Sequence, residues 1–213
     1  MKQHIQQLYT SKEFFEQAQQ FFNQEGYIQL QEFFNSQNSE VSEYFSSALE
    51  LPLTLFTLDY APLIHKKCIL KKEKIPTSIL PFVEYFKSKS FEEFVEQLTG
   101  FSVEFQSSEV SSFTHSCFEL IHDSKITNSM LLDIYFFISK DEFEQEEGGH
   151  KVYTTYNEEV FYITPTHNAL TCVFRDEELR TYTKYINSLA KNKQYIQIHT
   201  TFEIVGDGEE ELM

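Results

Sequence analysis

The chain has 213 residues and a net charge of −16, with 41% hydrophobic and 23% charged residues. That is length enough for one domain with a substantial core, and the composition is globular rather than disordered. A surface this acidic, with pI about 4.8, repels phosphate backbones and anionic headgroups, which excludes nucleic-acid or membrane-surface binding as the main role.

Ser11 precedes Phe14, Phe15, Ala18, Phe21 and Phe22 at helical spacing and is placed to cap that helix. Gly26 ends it, and Tyr27–Leu30 starts a strand. The pattern predicts a second amphipathic helix within Phe33 to Leu51, after the polar Asn35–Ser39 stretch, bounded by Pro52. Leu53–Leu58 alternates like a strand. Ala61–Lys74 carries no readable period. Within it Lys66, Lys67, Lys71, Lys72 and Lys74 form a basic run beside His65, read as a solvated edge or as a docking face for an acidic partner. Ser78 to Lys89 is helical, with Pro81 in the first turn, and Ser90 caps a helix over Phe91–Leu98 that stops at Gly100.

After Gly100 the period changes from helix to strand. Eight β-branched and aromatic segments follow: Phe101–Phe113, Phe118–His122, Met130–Ile138, Val152–Tyr156, Val160–Ile163, Ala169–Phe174, Thr181–Ile186 and Tyr195–Ile204. Helices followed by eight strands predict an α+β fold, with N-terminal helices packed on a double-stranded β-helix, or jelly roll. One domain over residues 1–205 and an acidic tail at 206–213 complete the expected organisation. Cys68, Cys117 and Cys172 are odd in number and lack CxxC spacing, which points to a reducing compartment and to buried filler roles. No apolar run approaches the ~20 residues of a membrane helix, and the N-terminus has no signal-peptide core.

His122-Asp123-Ser124 falls at the end of a predicted strand. Alternation puts His122 and Ser124 on one face, where a His followed two residues later by a carboxylate would begin the facial triad of a non-haem iron site. The second position here is a serine.

Several segments carry a family resemblance: EYFKSKSFEEFVEQLTG from Glu84, ELIHDSKI from Glu119, LDIYFFIS from Leu132, EGGHKVY from Glu147, ITPTHNALTCVF from Ile163 and QYIQIHTTF from Gln194. In order and spacing, over about residues 12–204, the chain resembles the catalytic domain of 2-oxoglutarate and iron dependent prolyl hydroxylases. The branch it most resembles hydroxylates a proline of a small-subunit ribosomal protein. The resemblance places the first iron histidine on His122 and the carboxylate ligand on Ser124. It places the second histidine near Thr183, the cosubstrate arginine on Tyr195, and a cosubstrate-bonding tyrosine on Phe113. Only His122 keeps its ligand type.

The resemblance therefore implies a vestigial pocket of Phe113, His122, Ser124, Thr183 and Tyr195, with no metal, no cofactor and no catalytic residue. The expected role is a pseudoenzyme: a structural or protein-binding subunit of a larger assembly. Its setting would be intracellular and reducing, either cytoplasmic or, as a complex subunit, mitochondrial. Two alternatives stand beside it. One is an active oxygenase that hydroxylates a protein proline with a non-standard ligand set, for which His115, His150, His167 and His199 are candidate replacements. The other is a small-molecule binder using the vacated pocket, lined by Phe113, His122, Ser124, Tyr135 and Thr183. Gly148-Gly149 reads as shape, a place where backbone approaches closely.

Overall fold

The structure is a computed structural model, described over residues 1–61, 64–120, 130–155 and 158–205. Four helices, with the first three strands set among them in the chain, cover a curled antiparallel sheet. Helix α1 (Lys12–Glu25) begins where the Ser11 hydroxyl accepts from Phe14 N–H at 3.2 Å, and ends at Gly26, whose φ of +73° suits glycine. Strand β1 (Tyr27–Leu30) follows as expected.

Helix α2 spans Ser39–Leu49, capped by Asn38. It starts at the end of the polar Asn35–Ser39 stretch, as the pattern predicted, and Phe33 and Phe34 stay outside it. Both are fully buried, and Asn168 grips Phe34, accepting from its N–H at 3.0 Å and donating to its carbonyl at 2.7 Å. Their backbone is held by tertiary bonds and cannot join a helix.

The segment Leu53–Leu58 is a correction. Pro52 leads into a 3-10 turn over Leu53–Leu55, and the strand β2 is Thr57–Ala61. It pairs with β3 (His65–Ile69), in the stretch whose period was unreadable. Helix α3 (Leu80–Phe86) carries Pro81 in its first turn. Helix α4 (Lys89–Thr99) is capped by Ser88, not Ser90, and closes at Gly100 with φ +82°. The Ser90 hydroxyl instead sits 3.0 Å from that of Ser88.

The eight later strands are β4 (Val103–Thr114), β5 (Phe118–Glu119), β6 (Leu131–Ser139), β7 (Lys151–Thr154), β8 (Glu159–Ile163), β9 (Ala169–Arg175), β10 (Arg180–Thr183) and β11 (Gln194–Ile204). Their order is β1-β9-β6-β11-β4-β3-β5-β10-β7-β8. A larger sheet (β1-β9-β6-β11-β4) and a smaller one (β5-β10-β7-β8) thus meet at β3, which pairs with β4 through Cys68↔Ser112 and with β5 through His65↔Glu119. This is the jelly roll that the sequence predicted, laid on N-terminal helices.

Alternation sorts the larger sheet into two faces. Leu132, Ile134, Phe136 and Ile138 of β6, with Ile196, Ile198 and Phe202 of β11, pack outward under the helices. There Phe34, Phe45, Phe82 and Phe86 all lie within aromatic contact of Phe136. Tyr135, Phe137 and Tyr195 face inward between the sheets, against Phe113, Tyr153 and Phe143. Two cores result, one on each side of a single sheet. Among the described residues no helix is long and apolar enough to cross a membrane.

Candidate functional site

The inward faces carry a dense set of charged and polar groups, although the strands supplying them are largely apolar. On β3, Lys67 alternates away from Lys66 and Cys68 and turns its ammonium into the interior. It sits 2.6 Å from Glu109 Oε1 and 2.8 Å from Glu119 Oε1. The reading of the whole basic run as a solvated or docking face is therefore corrected at Lys67. From β7, Lys151 reaches Glu119 Oε2 at 2.6 Å, and the Thr183 hydroxyl of β10 donates to the same oxygen at 2.8 Å. The side chains of Lys67, Glu119 and Lys151 are only 14%, 16% and 7% exposed.

Lys151 Nζ also lies 5.6 Å from the ring centre of Tyr135. The Tyr153 hydroxyl hydrogen-bonds that of Tyr135 at 2.9 Å and Asp133 Oδ2 at 3.1 Å. Asp133, fully buried on β6, is held by Arg175 Nε at 2.6 Å and by His199 Nε2 at 2.9 Å, and the His199 ring stacks on Tyr135 at 4.5 Å. Glu109, Glu119 and Asp133 are thus matched by Lys67, Lys151 and Arg175 in one chain of contacts through the roll. Gln197 Oε1 and Thr181 Oγ1 have no hydrogen-bond partner among the described residues.

Burial by itself would push the Glu119 carboxyl up. The charges of Lys151 and Lys67, with their hydrogen bonds, override it and hold the group well below the usual carboxylate range. Asp133 behaves likewise, its burial outweighed by His199 and Arg175. Because both folded-state values are depressed, the stability these groups contribute is present above the unfolded carboxylate pKa, near about 4. It is lost as the pH falls below that value toward the folded ones. Urea midpoints are expected to drop between about pH 5 and pH 2, less steeply in Glu119→Gln. A wild-type midpoint unchanged down to pH 3 would contradict the assignment.

At the position the resemblance gives to the cosubstrate arginine, Tyr195 is wholly buried. Its ring stacks on Phe113 at 5.1 Å and meets Phe143 edge-on at 5.3 Å, and its hydroxyl donates to the Gly149 carbonyl at 2.8 Å. Burial pushes its phenol up, so it stays neutral. Gly148 and Gly149 have φ of +82°, and a Cβ on Gly148 would lie 2.0 Å from the Tyr185 carbonyl oxygen. The close approach read from the sequence is there.

His122 and Ser124 lie outside the described residues; of the other three expected pocket residues, the structure brings Phe113 and Tyr195 together and joins Thr183 to Glu119. The candidate replacement histidines are dispersed. His150 Nε2 bonds the Glu144 carbonyl at 3.1 Å, His167 Nδ1 accepts from Ser139 N–H at 3.3 Å, and His199 belongs to Asp133. Among the described residues no three His, Cys, Asp or Glu side chains are placed to hold one metal ion.

Among the described residues, the side chains at the positions the resemblance gives to the second iron histidine and to the cosubstrate arginine do not fit those roles. Thr183 offers a neutral hydroxyl already given to Glu119, and a divalent cation there would face the ammonium groups of Lys67 and Lys151 at short range. Tyr195 has no charge to fork onto a carboxylate, and its one donor is spent on Gly149.

Solved structures place this architecture. The chain overlays a prolyl hydroxylase of Trichoplax adhaerens, in complex with a hypoxia inducible factor peptide, with TM-score 0.64 at 11% identity, covering 91% of each chain. It overlays a Pseudomonas putida prolyl-4-hydroxylase with TM-score 0.59 at 8% identity, covering 90% of this chain and 99% of the other. The fold is the double-stranded β-helix of the 2-oxoglutarate oxygenases. A prolyl 3-hydroxylase of Xenopus laevis, OGFOD1, is 31% identical over 90 residues, which is 41% of this chain and 18% of that protein's length. Residues 58–211 match the family model described as oxoglutarate and iron-dependent oxygenase degradation C-term, and the chain belongs to that prolyl hydroxylase-like family.

The sequence reading missed Asp133, Arg175, Tyr153, Lys67, Glu119 and Lys151. One signal was available: an aspartate inside LLDIYFFIS must be buried on one face or the other, and a buried carboxylate needs partners.

Proposed function

We propose that this chain is a non-catalytic member of its family, a jelly roll that serves as a structural or protein-binding subunit of a larger assembly. The observation that carries the reading is the ion cluster at Thr183. Where the resemblance puts an iron ligand, the interior holds Glu119 neutralised by Lys67 and Lys151. The Tyr195–Phe113 stack supports it from the cosubstrate side, filling with aromatic rings the place where a charged anchor would stand. A reducing compartment, cytoplasmic or mitochondrial, goes with the three free cysteines.

Metal analysis and calorimetry on the purified protein test it. The expected result is iron well below one equivalent, and no heat of 2-oxoglutarate binding with iron supplied. Stoichiometric iron with 2-oxoglutarate binding and succinate release on a proline peptide would establish the enzyme instead. The assembly is tested by native mass spectrometry of the tagged chain isolated from its source, where one partner set at constant stoichiometry is expected.

A further inference from the structure

We propose that Cys68 and Cys117 form a redox pair, which a hydroperoxide oxidises to an intrachain disulfide at the seam where the two sheets join. The inference starts from strand register. β3 pairs with β4 through Cys68↔Ser112 and with β5 through Lys66↔Phe118, so the chain between β4 and β5 must turn beside Lys67. Ser116, in the left-handed region at φ +69°, makes that turn, and Cys117 follows it directly. Cys68 stands two residues beyond Lys66 on β3, and Cys117 one residue before Phe118, so the register sets the two cysteines beside one another on adjoining segments, near enough for each thiol to influence the other's ionisation. Both thiols are free.

Their surroundings divide the roles. Cys68 is partly exposed and Cys117 is buried, so an oxidant reaches Cys68 first. This also corrects the expectation that all three cysteines are buried filler. Lys66, whose ammonium bonds the Ser116 hydroxyl, places a cation close to both sulfurs. Burial pushes both thiols up and Lys66 pulls the other way, so the reaction is expected to quicken as pH rises through the alkaline range. Cys172, on β9 opposite Ile28 and Ile134 and fully buried, has neither an opening nor a second thiol partner.

The chemistry balances with a hydroperoxide as oxidant. The Cys68 thiolate attacks the outer peroxide oxygen and the O–O bond breaks. Cys68 becomes a sulfenic acid, and the alkoxide or hydroxide leaves and is protonated. The Cys117 sulfur then attacks Cys68, forming the S–S bond and expelling the sulfenic oxygen, which takes up a proton and leaves as water. Two electrons pass from two thiols to one peroxide. The new bond would fasten β3 to the turn on one side of Lys67, closing a long loop and raising Tm.

The test uses the full chain, reduced and then treated with hydrogen peroxide. The intact mass should fall by two hydrogens, digestion should yield a peptide joining Cys68 to Cys117, and dithiothreitol should reverse both. In Cys117→Ser the cross-link should be lost and a dimedone-trapped sulfenic acid should appear at Cys68. In Cys172→Ala the cross-link should persist. Mapping of the wild-type digest needs no variant and stands even if a substituted chain fails to fold. Over-oxidation of Cys68 without a cross-link, a link through Cys172, dimers joined between chains, or no reaction where free glutathione is consumed would each overturn the proposal.

Discussion

Glu119→Ala is expected to lower unfolding stability by about 3–5 kcal/mol at pH 7. The carboxylate is the shared partner of Lys67 and Lys151 and the acceptor for Thr183. Removing it leaves Lys151 as a charge inside the roll with the Tyr135 ring beside it, and no second carboxylate paired with it among the described residues. Lys67 keeps Glu109. The cost comes chiefly from the stranded ammonium, because burying a charge is tolerable only while it is paired. Removing both charges together should therefore be milder than removing one: Glu119→Ala with Lys151→Met is expected to recover more than half of the loss. Urea unfolding of the two single variants and the double variant completes the cycle. If the single change costs under about 1 kcal/mol, the cluster behaves as a solvated ion pair and does not hold the interior together.

Gly148→Ala is expected to cost about 3–5 kcal/mol, or to leave the chain unfolded at 37 °C. Two independent faults coincide there. The φ of +82° is disfavoured for any side chain, and the new methyl would be driven to 2.0 Å from the Tyr185 carbonyl, which is backbone and cannot swing away. Gly149→Ala is the internal control, since its φ is the same but its nearest neighbours are side-chain carbons of Ile186 and Phe143 at 3.3 Å. It should lose about 1–2 kcal/mol, mostly conformational. Equal losses at both positions would show that the Tyr185 contact does not matter.

What could be read from the sequence follows from which interactions are local. Caps at Ser11, the stops at Gly26 and Gly100, and eight strands with their alternation are properties of a few adjacent residues, and they were legible. The anchoring of Phe34 was not, because it answers to Asn168, 134 residues away. The hairpin β2–β3 was missed for a related reason. Its lysines look solvated until the pairing with β4 and β5 shows that Lys67 points between the sheets. The site divides along the same line. Family positions could be laid on Phe113, Thr183 and Tyr195 one at a time, but Lys67, Glu119 and Lys151, which now stand around Thr183, come from three other strands, β3, β5 and β7.

The pairing of β1 with β9 has a consequence in time. Tyr27 lies opposite Val173 and Leu30 opposite Leu170, so the first strand is the edge partner of one near the end of the chain. During synthesis α1 and α4 can already pack together, yet β1 has nothing to pair with until residue 173 has been made. The smaller sheet waits as well, since β5 needs β10. Closure of such distant pairs is slow by its nature. The aromatic faces of β4 and β6 are therefore complete well before the strands that will cover them emerge, and it is in that interval that this chain most needs protection from its neighbours.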